Sequence, residues 1–363
     1  MAAQDNLPVL VVGAGPTGLA AALELSRHGR SVRIVDRNPT RSQHSKALGV
    51  NARTLELMEP SGVTERLLAR GLRLRRFHFR NAERLLATII LARVRHRYNF
   101  MLALLQAETE RILEERLAEH GTMVEWSTEF TGLAATRDRV RATLVADGEE
   151  RTVEAAYLIG ADGAHSTVRD ALGLSLRGVT DPSDWWLVDV RMDWPFGHTH
   201  VNLFARPAAV LGVIPIEPDL FRLVSNGPDP LTLLPTRAMV DEEVWRSSFR
   251  ISYRQVDSYQ AGRVFLAGDA AHVHSPVGAR GMNLGIEDAT VLARKMVDGT
   301  LASYSAERRP VGARVIRQTR ALTRLFTVRN PLGRWLRDQL FARVIDPSPA
   351  SQRALARRIM GLA

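Results

Sequence analysis

The run Val9-Leu10-Val11-Val12, followed at once by Gly13-Ala14-Gly15-Pro16-Thr17-Gly18, leaves this chain few choices. Four consecutive apolar residues fit a strand buried on both faces. Leu19, Ala22, Leu23 and Ser26 then recur at helical spacing, and Gly29 stands where a C-terminal cap belongs. Ser31–Val35 reads as a second strand ending at Asp36, so the chain opens on a βαβ unit. Glycines at G-x-G-x-x-G spacing let the backbone turn tightly and approach a diphosphate, whose charge meets the helix N-terminus. Asp36 is placed to accept from a ribose hydroxyl. Strand, glycines, helix and acid together predict a dinucleotide site, without separating FAD from NAD.

Two later stretches repeat the device. Tyr157-Leu158-Ile159-Gly160-Ala161-Asp162-Gly163 and Val264-Phe265-Leu266-Ala267-Gly268-Asp269 each run from a buried strand into glycine and aspartate. Parallel strands present their C-terminal ends on one sheet edge, where ligands bind. Three such ends, far apart in sequence, predict one long ligand lying across that edge, whereas a nicotinamide dinucleotide usually needs only the first.

Between these segments the pattern changes. Leu105, Thr109, Ile112, Leu113 and Leu117 make one helix face closed by Gly121, and strand-like runs follow with Asp147-Gly148 as a hairpin turn. Residues 178–256 carry Trp185, Trp186, Trp194 and Trp245, many prolines and alternating runs such as Ala209–Ile216 and Leu220–Ser225. They predict an inserted antiparallel sheet, joined by residues 72–100. From Leu301 the chain reads as helical and arginine-rich.

Composition narrows the function classes. The 363 residues include no cysteine, which excludes disulfides, thiolate metal sites and a cysteine nucleophile, and fits a reducing cytoplasm. The net charge is +10, from 47 arginines and only two lysines, Lys46 and Lys295. That arginine bias runs the length of the chain, so we expect no nucleic-acid partner and at most an attraction for anionic ligands. MAAQDNLPVL has no basic n-region, and the glycines and proline after Val12 rule out a membrane span there.

The glycine turn 13–18, Asp162-Gly163 with Arg169, and Gly268-Asp269 resemble the three fingerprints of the class A FAD-dependent monooxygenases, the para-hydroxybenzoate hydroxylase superfamily. SKALGVNARTLELM (45–58), LLQAETERILEERLAEHG (104–121) and SYSAERRPVG (303–312) extend the similarity nearly end to end, nearest to hydroxylases of phenols and aromatic polyketides. The resemblance implies an α/β fold. A Rossmann-like FAD-binding domain would span 1–71, 101–177 and 257–300. An antiparallel-sheet substrate domain would be inserted at 72–100 and 178–256, with C-terminal helices at 301–363.

It also implies site residues. Gly13, Gly15, Pro16, Thr17 and Gly18 would hold the FAD diphosphate, and Asp36 with Arg37 the adenosine end. Lys46 and Gln106 would lie beside the cofactor, Asp162 and Gly163 would serve FAD and the pyridine nucleotide, and Gly268 with Asp269 the ribityl chain. The loop with Pro276, Gly278, Arg280, Gly281, Met282 and Asn283 would face the flavin ring, Pro276 and Arg280 being the catalytic candidates. NADPH or NADH would reduce the flavin transiently, and a C4a-hydroperoxide would hydroxylate an aromatic substrate at the expense of O2. A homodimer is compatible with the resemblance.

The sequence departs from the family in places. Gly278-Ala279-Arg280-Gly281 replaces the common Gly-Gly-Gln-Gly, Lys46 stands where many relatives have arginine, and the thioredoxin-like C-terminal domain of many relatives is missing from the sequence. A flavin reductase or oxidase without oxygen transfer, and a flavin-binding scaffold without turnover, remain alternatives. His272 and His274 lack further ligands at metal-site spacing and are expected to pack the loop. His198, His200, Arg206, Arg222 and Tyr253 are expected at the surface or in packing, and Arg317, Arg320 and Arg324 on a solvated helix face, with contact to an anionic membrane surface as the alternative.

Overall fold

The computed structural model describes residues 7–42, 47–207, 209–227 and 229–363. Its first layer is a six-stranded sheet in the order Gln260–Ala261, Val264–Leu266, Tyr157–Gly160, Val9–Val12, Val32–Val35, Val124–Glu125. All neighbours are parallel except the hairpin at the first edge. The three strands singled out by their glycine ends are therefore adjacent, in register through Val12, Gly160 and Leu266. Every residue of Val9–Val12 and Val264–Leu266 is buried, as expected of strands covered by helices on both faces.

The covering helices include Pro16–Arg27, Gln106–Glu119 and Gly281–Asp298. The first and last approach closely. A Cβ on Gly285 would lie 2.2 Å from Thr17 Oγ1, and one on Gly268 would lie 2.6 Å from the same atom. The Thr17 hydroxyl is thus wedged between two glycines.

The second layer is an eight-stranded sheet in the order His272–Val273, Met239–Gln255, Arg177–Asp193, Leu220–Ser225, Val210–Pro215, His200–Ala205, Arg76–Asn81, Arg84–Ile90. It is antiparallel throughout except where His200–Ala205 meets Arg76–Asn81. Side chains alternate across it. Leu187, Val201, Leu203, Gly212 and Val224 face the parallel layer, while Val188, Val190, Met192, Trp194, Phe204, Leu211, Val213, Phe221 and Leu223 form a second core behind it.

Two expectations shift. The sheet takes in Arg76–Ile90, but Leu72–Leu74 pairs with Met101–Ala103 in a separate three-stranded sheet. His272–Val273, from the cofactor side of the sequence, adds itself to the edge of the antiparallel sheet. The hairpin at Asp147-Gly148 forms with φ of 53° and 78°, the left-handed pair a two-residue turn demands. Beyond Leu301 come the helices Tyr304–Phe326, Pro331–Gln339 and Pro349–Ile359, with a π-helical turn at Leu340–Ile345. Among the described residues no helix is long and apolar enough to cross a membrane.

Candidate functional site

A cavity of about 1200 Å³ runs from the three glycine-ended strands to the inner face of the antiparallel sheet. Gly13, Gly15, Pro16, Thr17, Asp36, Arg37, Gln106, Asp162, Gly163, Asp269, Pro276, Gly278, Arg280, Gly281, Met282 and Asn283 all line it. Lys46 lies outside the described residues.

The glycines of the opening turn divide the work. Gly13 sits at φ 101°, and a Cβ there would lie 2.5 Å from the Ala161 carbonyl oxygen. A Cβ on Gly18 would lie 1.8 Å from the Gly13 carbonyl oxygen. Both are required by protein-on-protein contact, and Gly18 is not part of the cavity wall. Gly15 differs: nothing among the described residues lies within 4 Å of where its Cβ would be, and it lines the cavity as the N-cap of the helix. No side chain among the described residues caps that helix, so the N–H groups that follow Pro16 are left for a ligand. Gly163 and Gly281, at the other strand end and at the loop, have the same open space. These three empty Cβ positions form a cradle fitted to a long dinucleotide. Gly268, at φ 62°, is shaped by Thr17 behind the wall, leaving Asp269 to face the cavity.

The carboxylates differ in what they have left to give. Asp36 Oδ2 accepts from the Ala14 N–H at 2.7 Å, and Oδ1 accepts from the Asn38 N–H at 2.9 Å, so the acid first fixes the turn it follows. Asn38 Nδ2 also donates to Oδ1 at 2.8 Å, so it is Oδ2 that keeps acceptor capacity for a hydroxyl. Asp162 Oδ2 accepts from the Val168 N–H at 3.1 Å, while Oδ1 is buried without a partner among the described residues; burial raises the pKa of the carboxyl. An orphaned buried oxygen on the cavity wall is what a missing hydrogen-bonding group leaves behind. Arg169, the other part of that fingerprint, donates to the Ala164 and Ala270 carbonyls and so ties two of the strand ends together. Gln106 donates through Nε2 to Glu110 Oε1 at 2.8 Å, and burial pushes the Glu110 pKa up to about 7. Glu110 belongs to no motif in the sequence, and its position one turn after Gln106 on the same helix face is the only signal that pairs the two.

The loop is held from beneath by Asn283. Its Nδ2 donates to the Gly49 and Ala279 carbonyls at 2.7 Å each, and its Oδ1 accepts from the Asn51 N–H at 2.9 Å and the Thr54 hydroxyl at 2.7 Å. The side chain expected beside the cofactor is therefore spent on clamping the loop to 49–54; what remains is its backbone at the helix start. Gly278 and Ala279 both have positive φ, and the Pro276 carbonyl accepts from the Ala279 N–H at 2.8 Å. Arg280 is the N-cap of Gly281–Asp298 and gives it no side-chain cap. Burial pulls the Arg280 guanidinium below its usual pKa, and it carries no ion pair among the described residues. This guanidinium and the start of the helix together make this wall electropositive.

The histidines separate. His272 Nε2 meets Asp288 Oδ2 at 2.6 Å deep in the core; Asp288 also holds Arg308 and accepts from the Gly268 N–H at 3.3 Å. His274 lines the cavity with Nδ1 donating to the Ser275 carbonyl, and burial lowers its pKa to about 4, so it is neutral at pH 7.

The far end of the cavity is apolar, walled by Trp185, Leu187, Val201, Leu203, Val224 and Phe249 of the sheet and by Leu322, Phe326, Leu355 and Ile359 of the C-terminal helices. Arg222, expected at the surface or in packing, lines it too. Its guanidinium grips Asp189 with two bonds of 2.7 Å and lies 5.2 Å from the Trp245 ring centroid. The pair is buried, so this charge is already neutralised.

A family model described as an FAD binding domain matches residues 6–227 and 231–319. The chain is 38% identical over 357 residues to 6-methylpretetramide 4-monooxygenase of Streptomyces rimosus, covering 91% of this chain and 64% of the relative. It is 35% identical over 344 residues to pentachlorophenol 4-monooxygenase of Sphingobium chlorophenolicum, covering 86% and 64%. The chain thus spans slightly less than two thirds of the length of these relatives. In fold it is similar to p-nitrophenol 4-monooxygenase of Pseudomonas putida, with a TM-score of 0.90, 24% identity and 98% of both chains covered.

Proposed function

The chain belongs to the class A FAD-dependent monooxygenase family, and from that premise we propose that it hydroxylates an aromatic small molecule, phenolic or polycyclic and polyketide-like, using O2 and NADPH or NADH. One observation carries the reading: a single cavity joins the dinucleotide cradle to an apolar chamber, with the glycine loop 276–283 between them. FAD is the cofactor, and when bound it supplies two-electron uptake from the nicotinamide nucleotide and transfer of one oxygen atom from O2.

The chain's own groups bind, orient and exclude water. The N–H groups after Gly15 take the diphosphate, Asp36 and Arg37 the adenosine end, Asp269 the ribityl hydroxyls, and Gln106 and Gly163 the flank of the cofactor. Gly278 and Gly281 bring bare backbone against the flavin ring. The start of helix Gly281–Asp298 and the Arg280 guanidinium favour negative charge on that ring. The neutralised Arg222–Asp189 pair and the apolar wall favour a neutral, apolar substrate at the sheet end of the cavity. A reducing cytoplasm suits a chain with no cysteine to protect.

The test is turnover under oxygen-18 with NADPH or NADH and a panel of phenols and polycyclic aromatics. The reading expects one labelled atom in a hydroxylated product. Stoichiometric hydrogen peroxide and no labelled product across the panel would turn it towards an oxidase. A protein that binds FAD and consumes no reduced nucleotide would be a scaffold.

A further inference from the structure

Charge is divided unevenly along this chain. Residues 301–363 hold 13 arginines, no lysine and three acids, Glu307, Asp338 and Asp346. Their net charge is +10, the same as that of the whole protein, so residues 1–300 balance to zero. Arg308, Arg309 and Arg337 have carboxylate partners. The other ten make no ion pair among the described residues. Elsewhere in the chain ion pairs are abundant, as in Arg33–Glu125, Arg66–Glu119 and Arg246–Glu243.

The same segment exposes an apolar face. Leu332, Trp335, Leu336, Leu340 and Val344 are 67, 55, 53, 36 and 52% exposed, at spacings of three and four residues along Pro331–Gln339 and the π-helical turn after it. The opposite side is fixed to the body of the protein. Arg337 and Asp338 pair in the buried layer, Asp338 accepts from Asn81, and Phe341 stacks on Phe79 with ring centroids 4.5 Å apart. One face of this helix is therefore free and apolar, with the exposed Arg329 just before it and the exposed Arg343 in the turn that follows.

We propose that this face docks the protein on an anionic lipid surface, Trp335 and its aliphatic neighbours entering the interface while Arg329, Arg343 and the other arginines of the segment without ion pairs among the described residues supply the attraction for the headgroups. An apolar face with long basic side chains around it is the pattern of a helix lying in a membrane interface. The sign of the charge selects an anionic surface. A second copy fits less well, because it would bring two strongly basic segments together. A grooved protein partner fits less well too, because the helix has one free face and cannot be enclosed. The inference is independent of the proposed reaction.

The experiment is co-sedimentation of the FAD-loaded protein with vesicles of phosphatidylcholine alone, and of phosphatidylcholine with an equal part of phosphatidylglycerol. Binding is expected to the second only, and to weaken in high salt as screening predicts. Trp335→Glu with Leu336→Glu should lower the bound-to-free ratio at least about tenfold and leave FAD content unchanged. Brominated lipid should quench tryptophan emission in the unaltered protein, and that part of the quenching should vanish in Trp335→Phe, which still sediments. Equal binding to both vesicles, or undiminished binding by the double glutamate variant, would overturn the proposal. So would a dimer in ultracentrifugation that Trp335→Glu dissolves, without any vesicle binding, in favour of a second copy.

Discussion

At the dinucleotide end of the cavity the wall is mostly backbone: Gly13, Gly15, Gly163 and Gly281, helix N-termini, and carboxylates that brace turns. At the other end it is side chains on an antiparallel sheet and on helices that arrive from the C-terminal segment. The first wall tolerates almost no substitution where backbone touches backbone. The second is a packed surface that could be recut residue by residue. A shared cofactor needs the first kind of wall, and a substrate that differs between relatives needs the second.

The sharpest way to break the comparison is Gly18→Ala. Its Cβ would meet backbone at 1.8 Å, so the turn must rearrange. We expect poor soluble yield and FAD binding weakened more than about 100-fold, measured by flavin content and fluorescence titration. Next is Arg222→Gln at the sheet end, which strands Asp189 in a buried layer. It should cost about 3 kcal/mol in urea unfolding, with FAD affinity held. Arg222→Met with Asp189→Leu should recover most of that loss.

Glu110 offers a pH test from the cofactor side. Burial raises its folded-state pKa from 4.5 to about 7, so the folded chain keeps a proton that the unfolded chain releases. Its contribution to stability is full below about 4.5 and falls as pH climbs through 7. Glu110→Gln should remove that slope in thermal melts of the FAD-free protein, gaining at most about 3 kcal/mol at pH 8. A pH profile identical to that of the unaltered protein would mean the carboxyl is not buried as described.

Gly15→Ala is the counterpart of Gly18→Ala. The space is open and φ is −75°, so the fold should stand while FAD binds about tenfold more weakly. Equal effects of the two substitutions would erase the distinction between structural and ligand-facing glycines. Smallest should be Leu203→Ala in the apolar chamber, which should shift KM between bulky and compact aromatic substrates a few-fold and leave FAD affinity unchanged.

What could be read from the chain follows the same division. The three glycine-ended strands were legible because each signal is local: apolar run, glycine, aspartate, helix. Their adjacency in the sheet, with Val12, Gly160 and Leu266 in register, is the geometry those signals demand. Gly18 and Gly268 look like ligand contacts in sequence and are helix-packing positions in space, since spacing alone does not say which side of a turn faces the ligand. Asn283 read as a cofactor contact because it sits in the loop, yet its partners Gly49, Asn51 and Thr54 lie more than 200 residues away. The Arg222–Asp189 pair hid for the same reason, being set by strand register. The C-terminal helices gave no sign that Leu355 and Ile359 would reach the cavity.

The central claim is that flavin and an apolar aromatic molecule share one cavity on either side of the loop 276–283. The most direct measurement is the visible absorption spectrum of the FAD-loaded protein titrated with phenolic and polycyclic aromatic ligands. The account predicts a saturable shift of the flavin bands for at least one ligand, with a dissociation constant that Leu203→Ala alters. Ligands shown by calorimetry to bind while the flavin bands stay unmoved would contradict it.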